Sequence, residues 1–234
     1  MPRTQWRGES FVPGSDVQPV LPTRFEEVIK AFDSHERGIL FQWAAEGPFA
    51  LSPSRCQALS ELVGVRIPAR PYLAMDYTLD WLHAAITCYL TPTAWQVPQP
   101  IVGKTITGSQ EDVDLLVAWE DDRPRLLLVE AKGFTGWSNK QMASKAARLE
   151  SIITPPVLER IDVHFVLVGP SESKGLLTDT WPAWMRHENR VHFLQVDDPG
   201  ARRGVRRSAP GHPHETGPVS KPWSHWSTVP RKWQ

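Results

Sequence analysis

Glu130 and Lys132 stand two residues apart at the end of an apolar run, Leu126-Leu127-Leu128-Val129-Glu130-Ala131-Lys132. Asp114 lies at the start of another, Val113-Asp114-Leu115-Leu116-Val117-Ala118-Trp119. Both runs have the length and composition of buried strands, and in extended chain Glu130 and Lys132 share a face because side chains alternate. The five residues between the runs, 120–124, are rich in Asp and close on Pro, too short for a crossover helix and suited to a hairpin loop. An antiparallel hairpin brings the start of the first strand beside the end of the second, so Asp114 meets Glu130 and Lys132. Two carboxylates with the backbone carbonyl of Ala131 make an all-oxygen set suited to a hard cation, Mg²⁺ or Mn²⁺. The Lys132 ammonium suits orienting or deprotonating a metal-bound water, or offsetting charge on an attacked phosphate.

Other elements must hold this hairpin. Phe25, Val28, Ile29, Phe32, Ile39 and Leu40 recur at helical spacing with Gly38 interrupting, which predicts one or two helices over 25–45, closed by Gly47 and Pro48. Met75, Leu79, Leu82, Ile86 and Tyr89 form one apolar stripe, which predicts a helix over 75–90 stopped by Pro92. Ser138 precedes a helical stretch whose face is Met142, Ala146, Leu149 and Ile153, ended by Pro155-Pro156. Strands are predicted at 163–168 and 191–196, with a helix at 181–187 between them. The order specifies an α/β domain with a mixed central sheet flanked by helices and a helical N-terminal extension. His164 and His192, inside apolar strands, read as packed residues.

The 234 residues contain 41% hydrophobic and 22% charged side chains, enough for a core and too much for wholesale disorder. Residues 1–23 hold Pro2, Pro13, Pro19 and Pro22 and read as an extended lead-in; 24–198 form the domain. Residues 199–234 lack Leu, Ile and Phe but have six Pro and four Gly, the composition of a flexible basic tail. That tail carries +6, and 1–198 carry −6. An acidic body repels nucleic acid, so contact with it requires a local basic groove, a bound metal or the tail. Trp223, Trp226 and Trp233 in the tail suit docking on the chain's own domain or on a protein partner, or stacking on bases. No stretch is long enough for a membrane span, and residues 1–11 lack the apolar core of a secretory signal, so a cytoplasmic location is expected. Cys56 and Cys88 read as reduced, packed thiols. Phosphate-loop, zincin and nucleophile-elbow motifs are absent, and His212-Pro213-His214 has no further ligands at a defined spacing.

Asp114 leading an apolar strand, a short hairpin, then Val129-Glu130-Ala131-Lys132 and a helix resembles the core of the PD-(D/E)XK nuclease superfamily, the restriction-endonuclease-like fold. The resemblance spans roughly residues 75–168, although Val113, not Pro, precedes Asp114. It implies a segment near 101–107 as first strand, and divalent-metal-dependent hydrolysis of phosphodiester bonds in DNA. Asp114 and Glu130 would be metal ligands with Ala131, and Lys132 the catalytic lysine. Asp112, two residues upstream on the same strand face, is a rival first ligand. The superfamily often adds an acid from the first core helix, where Asp76 and Asp80 share a face; the competing reading of both is a solvated helix surface. A glutamine on the helix after the lysine strand is also common in it. Gln141, with Lys145 and Arg148 at i, i+4 and i+7, would present one polar face to a phosphate backbone. Ser138 and Gln141 also match a capping box. The competing expectation is a module that keeps this fold without turnover and docks on a partner through its Trp-rich tail.

Overall fold

The structure, a computed structural model, describes residues 21–34, 36–45, 48–109, 111–133, 137–172, 175–197, 202–208 and 225–231. The first elements are α1 (Phe25–Phe32), α2 (Glu36–Ala45), α3 (Pro53–Val63), β1 (Tyr72–Thr78) and α4 (Leu79–Leu90). They are followed by β2 (Asp112–Glu120), β3 (Pro124–Ala131), α5 (Asn139–Ile152), α6 (Pro155–Arg160), β4 (Asp162–Gly169) and β5 (His192–Gln195). The strands form one open mixed sheet in the order β1-β2-β3-β4-β5. β1, β2 and β3 are antiparallel neighbours, whereas β4 and β5 run parallel to β3. The parallel β3–β4 pair requires the crossover that α5 and α6 supply.

Alternation divides β2 and β3 between two cores. Leu116, Ala118, Leu126 and Leu128 pack with α1, α4 and α5 residues such as Ile29, Leu82, Met142 and Leu149. Val117, Trp119, Leu127 and Val129 pack with Cys56, Leu59 and Val63 of α3 on the opposite face. Helices therefore cover both faces, and β3 is buried between them. Each fully buried aliphatic side chain there contributes about 1.5–3 kcal/mol. Cys56 and Cys88 are free and buried. Among the described residues no helix is long and apolar enough to cross a membrane.

Several segments differ from the sequence reading. Residues 72–78 are a strand, and the helix begins only at Leu79, where Thr78 Oγ1 accepts the Trp81 N–H at 3.4 Å. The Met75 repeat is coincidental, because pairing of Tyr72–Met75 with Leu115–Ala118 outweighs local helical spacing. β1 thereby takes the place expected for 101–107, which forms turns with Gly103 at φ 60° and with Ile101 and Val102 exposed. Residues 181–187 hold only a 3₁₀ turn, Ala183–Met185, set by Pro182. α3 was not anticipated, although Ser52 caps it, Pro53 starts it and Gly64 at φ 72° ends it. Within the expected flexible tail, β6 (Arg202–Ser208) and β7 (His225–Arg231) pair as an antiparallel ribbon. Trp226 lies in β7, whereas Trp223 and Trp233, like residues 1–20 of the lead-in, lie outside the described residues.

Glu120 joins α1 and α4 to the β2–β3 hairpin. Its Oε2 accepts the Phe25 N–H at 2.7 Å and its Oε1 accepts the Tyr89 hydroxyl at 3.2 Å, so a hairpin carboxylate caps α1 and holds α4. Glu120→Ala is expected to lower stability by about 1–2 kcal/mol, read as a lower urea midpoint at unchanged slope; an unaltered midpoint would mean the cap contributes nothing.

Candidate functional site

β2 and β3 place the sequence-identified residues together at one end of the sheet. The pairing Leu115↔Val129 continues one step to bring Asp114 opposite Glu130. Asp114 Oδ2 accepts the Ala131 N–H at 2.6 Å, tying the two strand ends. Lys132 follows the strand, its N–H donating to the Val168 carbonyl at 2.9 Å. Gly169 lets the chains approach there: a side chain at 169 would meet the Lys132 carbonyl and the Trp137 ring at 3.0 Å each.

Glu130 is 1% exposed. Burial raises its carboxyl above the usual range, opposed first by Lys145 and with Asp114 adding repulsion. Both oxygens are taken: Lys132 Nζ lies 3.2 Å from Oε1, and Lys145 Nζ pairs with Oε2. Asp112, half-buried, is also raised by burial, with Lys145 opposing and Asp76 and Asp114 adding to the rise. Asp76 stands between the paired residues Met75 and Tyr77, at φ 51°. A non-glycine residue pays about 1–2 kcal/mol for that conformation. It interrupts the alternation of β1, since Ala74 and Tyr77, three apart, both enter the α4-side core. The Asp76 carboxylate accepts from Arg37 Nη1 of α2 at 2.5 Å. Four carboxylates, Asp76, Asp112, Asp114 and Glu130, thus cluster with three cations, Arg37, Lys132 and Lys145.

The remaining candidates are placed differently. Asp76 and Asp80 do not share a helix face: Asp76 is in β1, and Asp80 opens α4. Asp80 pairs with Arg148 and accepts the Thr107 and Gly108 N–H groups at 3.1 and 2.8 Å. Arg148 also donates to Ser109 Oγ at 2.8 Å and Glu111 Oε2 at 3.2 Å, so it binds α5 to α4 and to the loop before β2. Lys145 and Arg148 are each 4% exposed at the side chain. They point inward and do not present a solvent face to a phosphate backbone. Gln141 is exposed, and its backbone N–H donates to Ser138 Oγ at 3.5 Å, the capping half of its expected role.

A polar cavity of about 520 Å³ adjoins the cluster, lined by Arg37, Thr78, Asp80, Trp81, Gly108, Ser109 and Asp112. An apolar hollow of about 460 Å³ lies elsewhere, between α4 and residues 94–106. Arg37 and the inward role of Lys145 escaped the sequence reading. Arg37 is 39 residues from Asp76 and carries no local signal; Lys145 lies on a helix where spacing gives the shared face but not its direction.

Among the described residues no group of three or more acidic, histidine or cysteine side chains is arranged to hold a metal as it stands. The donor chemistry nonetheless fits a hard cation. The set is all oxygen, its carboxylates repel one another, and side-chain ammonium groups occupy Glu130. Compared with family models, curated proteins and solved structures, the chain shows no match.

Because the Asp112 carboxyl is raised in the folded state, its ionisation opposes folding, and stability is lost as pH rises through the raised value. Asp112→Asn is expected to increase the melting temperature at neutral pH, with the gain fading as pH falls into the ordinary carboxylate range. A gain independent of pH, or none at neutral pH, would contradict the burial and repulsion described.

Proposed function

We propose that this chain is a divalent-metal-dependent deoxyribonuclease of restriction-endonuclease-like build. The observation that carries the reading is Asp114 opposite Glu130 at adjoining strand ends, with Lys132 on the Glu130 carboxylate. The antiparallel β1-β2-β3 meander, the α5–α6 crossover and parallel β4 support it, since they supply three strands, a helix and a strand around that constellation. A carboxylate-rich cluster in an acidic body also favours a polyanionic substrate only when a cation intervenes.

Asp114, Glu130 and the Ala131 carbonyl would hold Mg²⁺ or Mn²⁺, with Asp112 or Asp76 as further acids. The ion would supply Lewis-acid stabilisation of the charge that develops on the phosphate and ease deprotonation of the attacking water. Lys132, with a side chain 19% exposed, is reachable from solvent yet fixed by its carboxylate partner. Its ammonium orients the attacking water and offsets phosphate charge in a partly dry site, where such charge counts most. Glu130 keeps Lys132 in place, and Asp114 is itself oriented by the Ala131 N–H. Arg37, 70% exposed at the side chain on the cavity rim, is positioned to meet a neighbouring phosphate.

A second reading, a nuclease-fold module that binds without turnover, draws on the occupation of both Glu130 oxygens by lysines. Its partner would be another protein, docked through the Trp-rich C-terminal segment.

Plasmid or oligonucleotide DNA with Mg²⁺ or Mn²⁺ separates the two. Metal-dependent cleavage abolished by chelation is expected for the wild type. Lys132→Ala should melt within a few degrees of the wild type and cleave at least ~10²-fold more slowly. Wild-type cleavage by that variant would overturn the assignment of Lys132, and intact DNA alongside tight association with a protein would favour the second reading.

A further inference from the structure

Lys145 is a buried charge that the proposed chemistry leaves unused. It sits on α5 with its side chain 4% exposed, and its Nζ pairs with Oε2 of Glu130, itself 1% exposed. A lone ammonium in such a place is costly, and so is a lone carboxylate; each is tolerated because the other is present. Lys132 already serves the other oxygen, Oε1, at 3.2 Å. The attraction of Lys145 is also the largest influence opposing the burial of Asp112. One lysine thus sits among the carboxylates at which a hard cation would be held. A divalent ion and an ammonium group at contact distance on one oxygen repel, and with Lys132 on Oε1 an ion that reaches Glu130 competes with Lys145 for Oε2.

We infer that Lys145 is a resident counter-cation that holds Glu130 in the metal-free protein and gives up Oε2 when a divalent ion binds. This rests on the metal-dependent reading of the site and adds to it a built-in competitor. Lys145 is a positioning residue: it acts on the ion through Glu130. Two consequences separate this from a purely structural ion pair. Metal affinity in the wild type is lowered by the need to break the pair. Removal of Lys145 destabilises the metal-free fold, and the ion restores what the lysine supplied.

The test is Mn²⁺ titration of the full chain by calorimetry or electron paramagnetic resonance, with thermal melting of the wild type, Lys145→Met and Lys145→Arg. Lys145→Met is expected to bind Mn²⁺ about tenfold or more tightly than the wild type, within the usual range of coupling between sites. It should melt lower without the ion and recover at saturating Mn²⁺, and Lys145→Arg should stay near wild-type affinity. Equal or weaker binding by Lys145→Met, or a deficit that Mn²⁺ does not recover, would overturn the inference. If Lys145→Met does not fold without metal, the side-chain ¹⁵N signal of Lys145 in the wild type answers the same question. Mg²⁺ should shift it, and Asp114→Asn should abolish the shift; a signal unmoved at saturating Mg²⁺ would overturn the displacement. Wild-type cleavage with unaltered affinity in Lys145→Met would sink this inference alone. A wild type that neither binds Mn²⁺ nor cleaves DNA would remove the underlying functional reading as well.

Discussion

The structure turns on a buried carboxylate that must be neutralised. Glu130 ends β3, the middle strand of the sheet, where two hydrophobic cores stop and the polar cluster begins. Its charge is tolerable because Lys132 reaches it from just beyond the same strand and Lys145 from α5. The ion pair therefore fixes more than one side chain. It acts together with the packing of α5, since Met142, Ala146 and Leu149 are buried on the same helix that delivers Lys145. Arg148, three residues on, fastens that helix to Asp80 and Glu111. Such buried pairs need not add net stability over an apolar core. What they add here is position, holding β2, β3, α4 and α5 around one set of oxygens.

The part of this that was legible in the sequence is the part encoded locally. Val113–Trp119 and Leu126–Lys132 carry continuous apolar runs with a turn between them, and a hairpin of known direction forces Asp114 to meet Glu130. The α5 stripe and the β4 run are equally local. β1 was hidden because Met75 falls in phase with the stripe of α4, and only pairing with β2, some forty residues away, makes it a strand. Lys145 and Arg148 show a different limit. Their spacing gives a common face, whereas the direction of that face depends on where Glu130, Asp80 and Glu111 end up. Arg37 reaches Asp76 from an element with no local mark of the site. The strands β6 and β7 escaped for a related reason: a segment rich in Pro and Gly carries little burial signal, and their pairing joins positions as far apart as Arg202 and Arg231.

The site combines features that rarely serve stability alone. Asp76 holds a left-handed backbone conformation in mid-strand, four acids crowd together, and three cations from three elements answer them. A polar cavity opens beside Asp112 with Arg37 at its rim. The proposed metal-dependent hydrolysis would use the acids for the ion, a lysine for the water and phosphate, and an arginine for the backbone of the substrate.

Anomalous diffraction from a crystal of the full chain equilibrated with Mn²⁺ would show whether Asp114 and Glu130 share a divalent ion. A shared ion would give a Mn²⁺ peak between the two carboxylates, close to the Ala131 carbonyl, with Lys145 Nζ withdrawn from Glu130. Saturating Mn²⁺ with no peak there, and Lys145 still paired to Glu130, would contradict it.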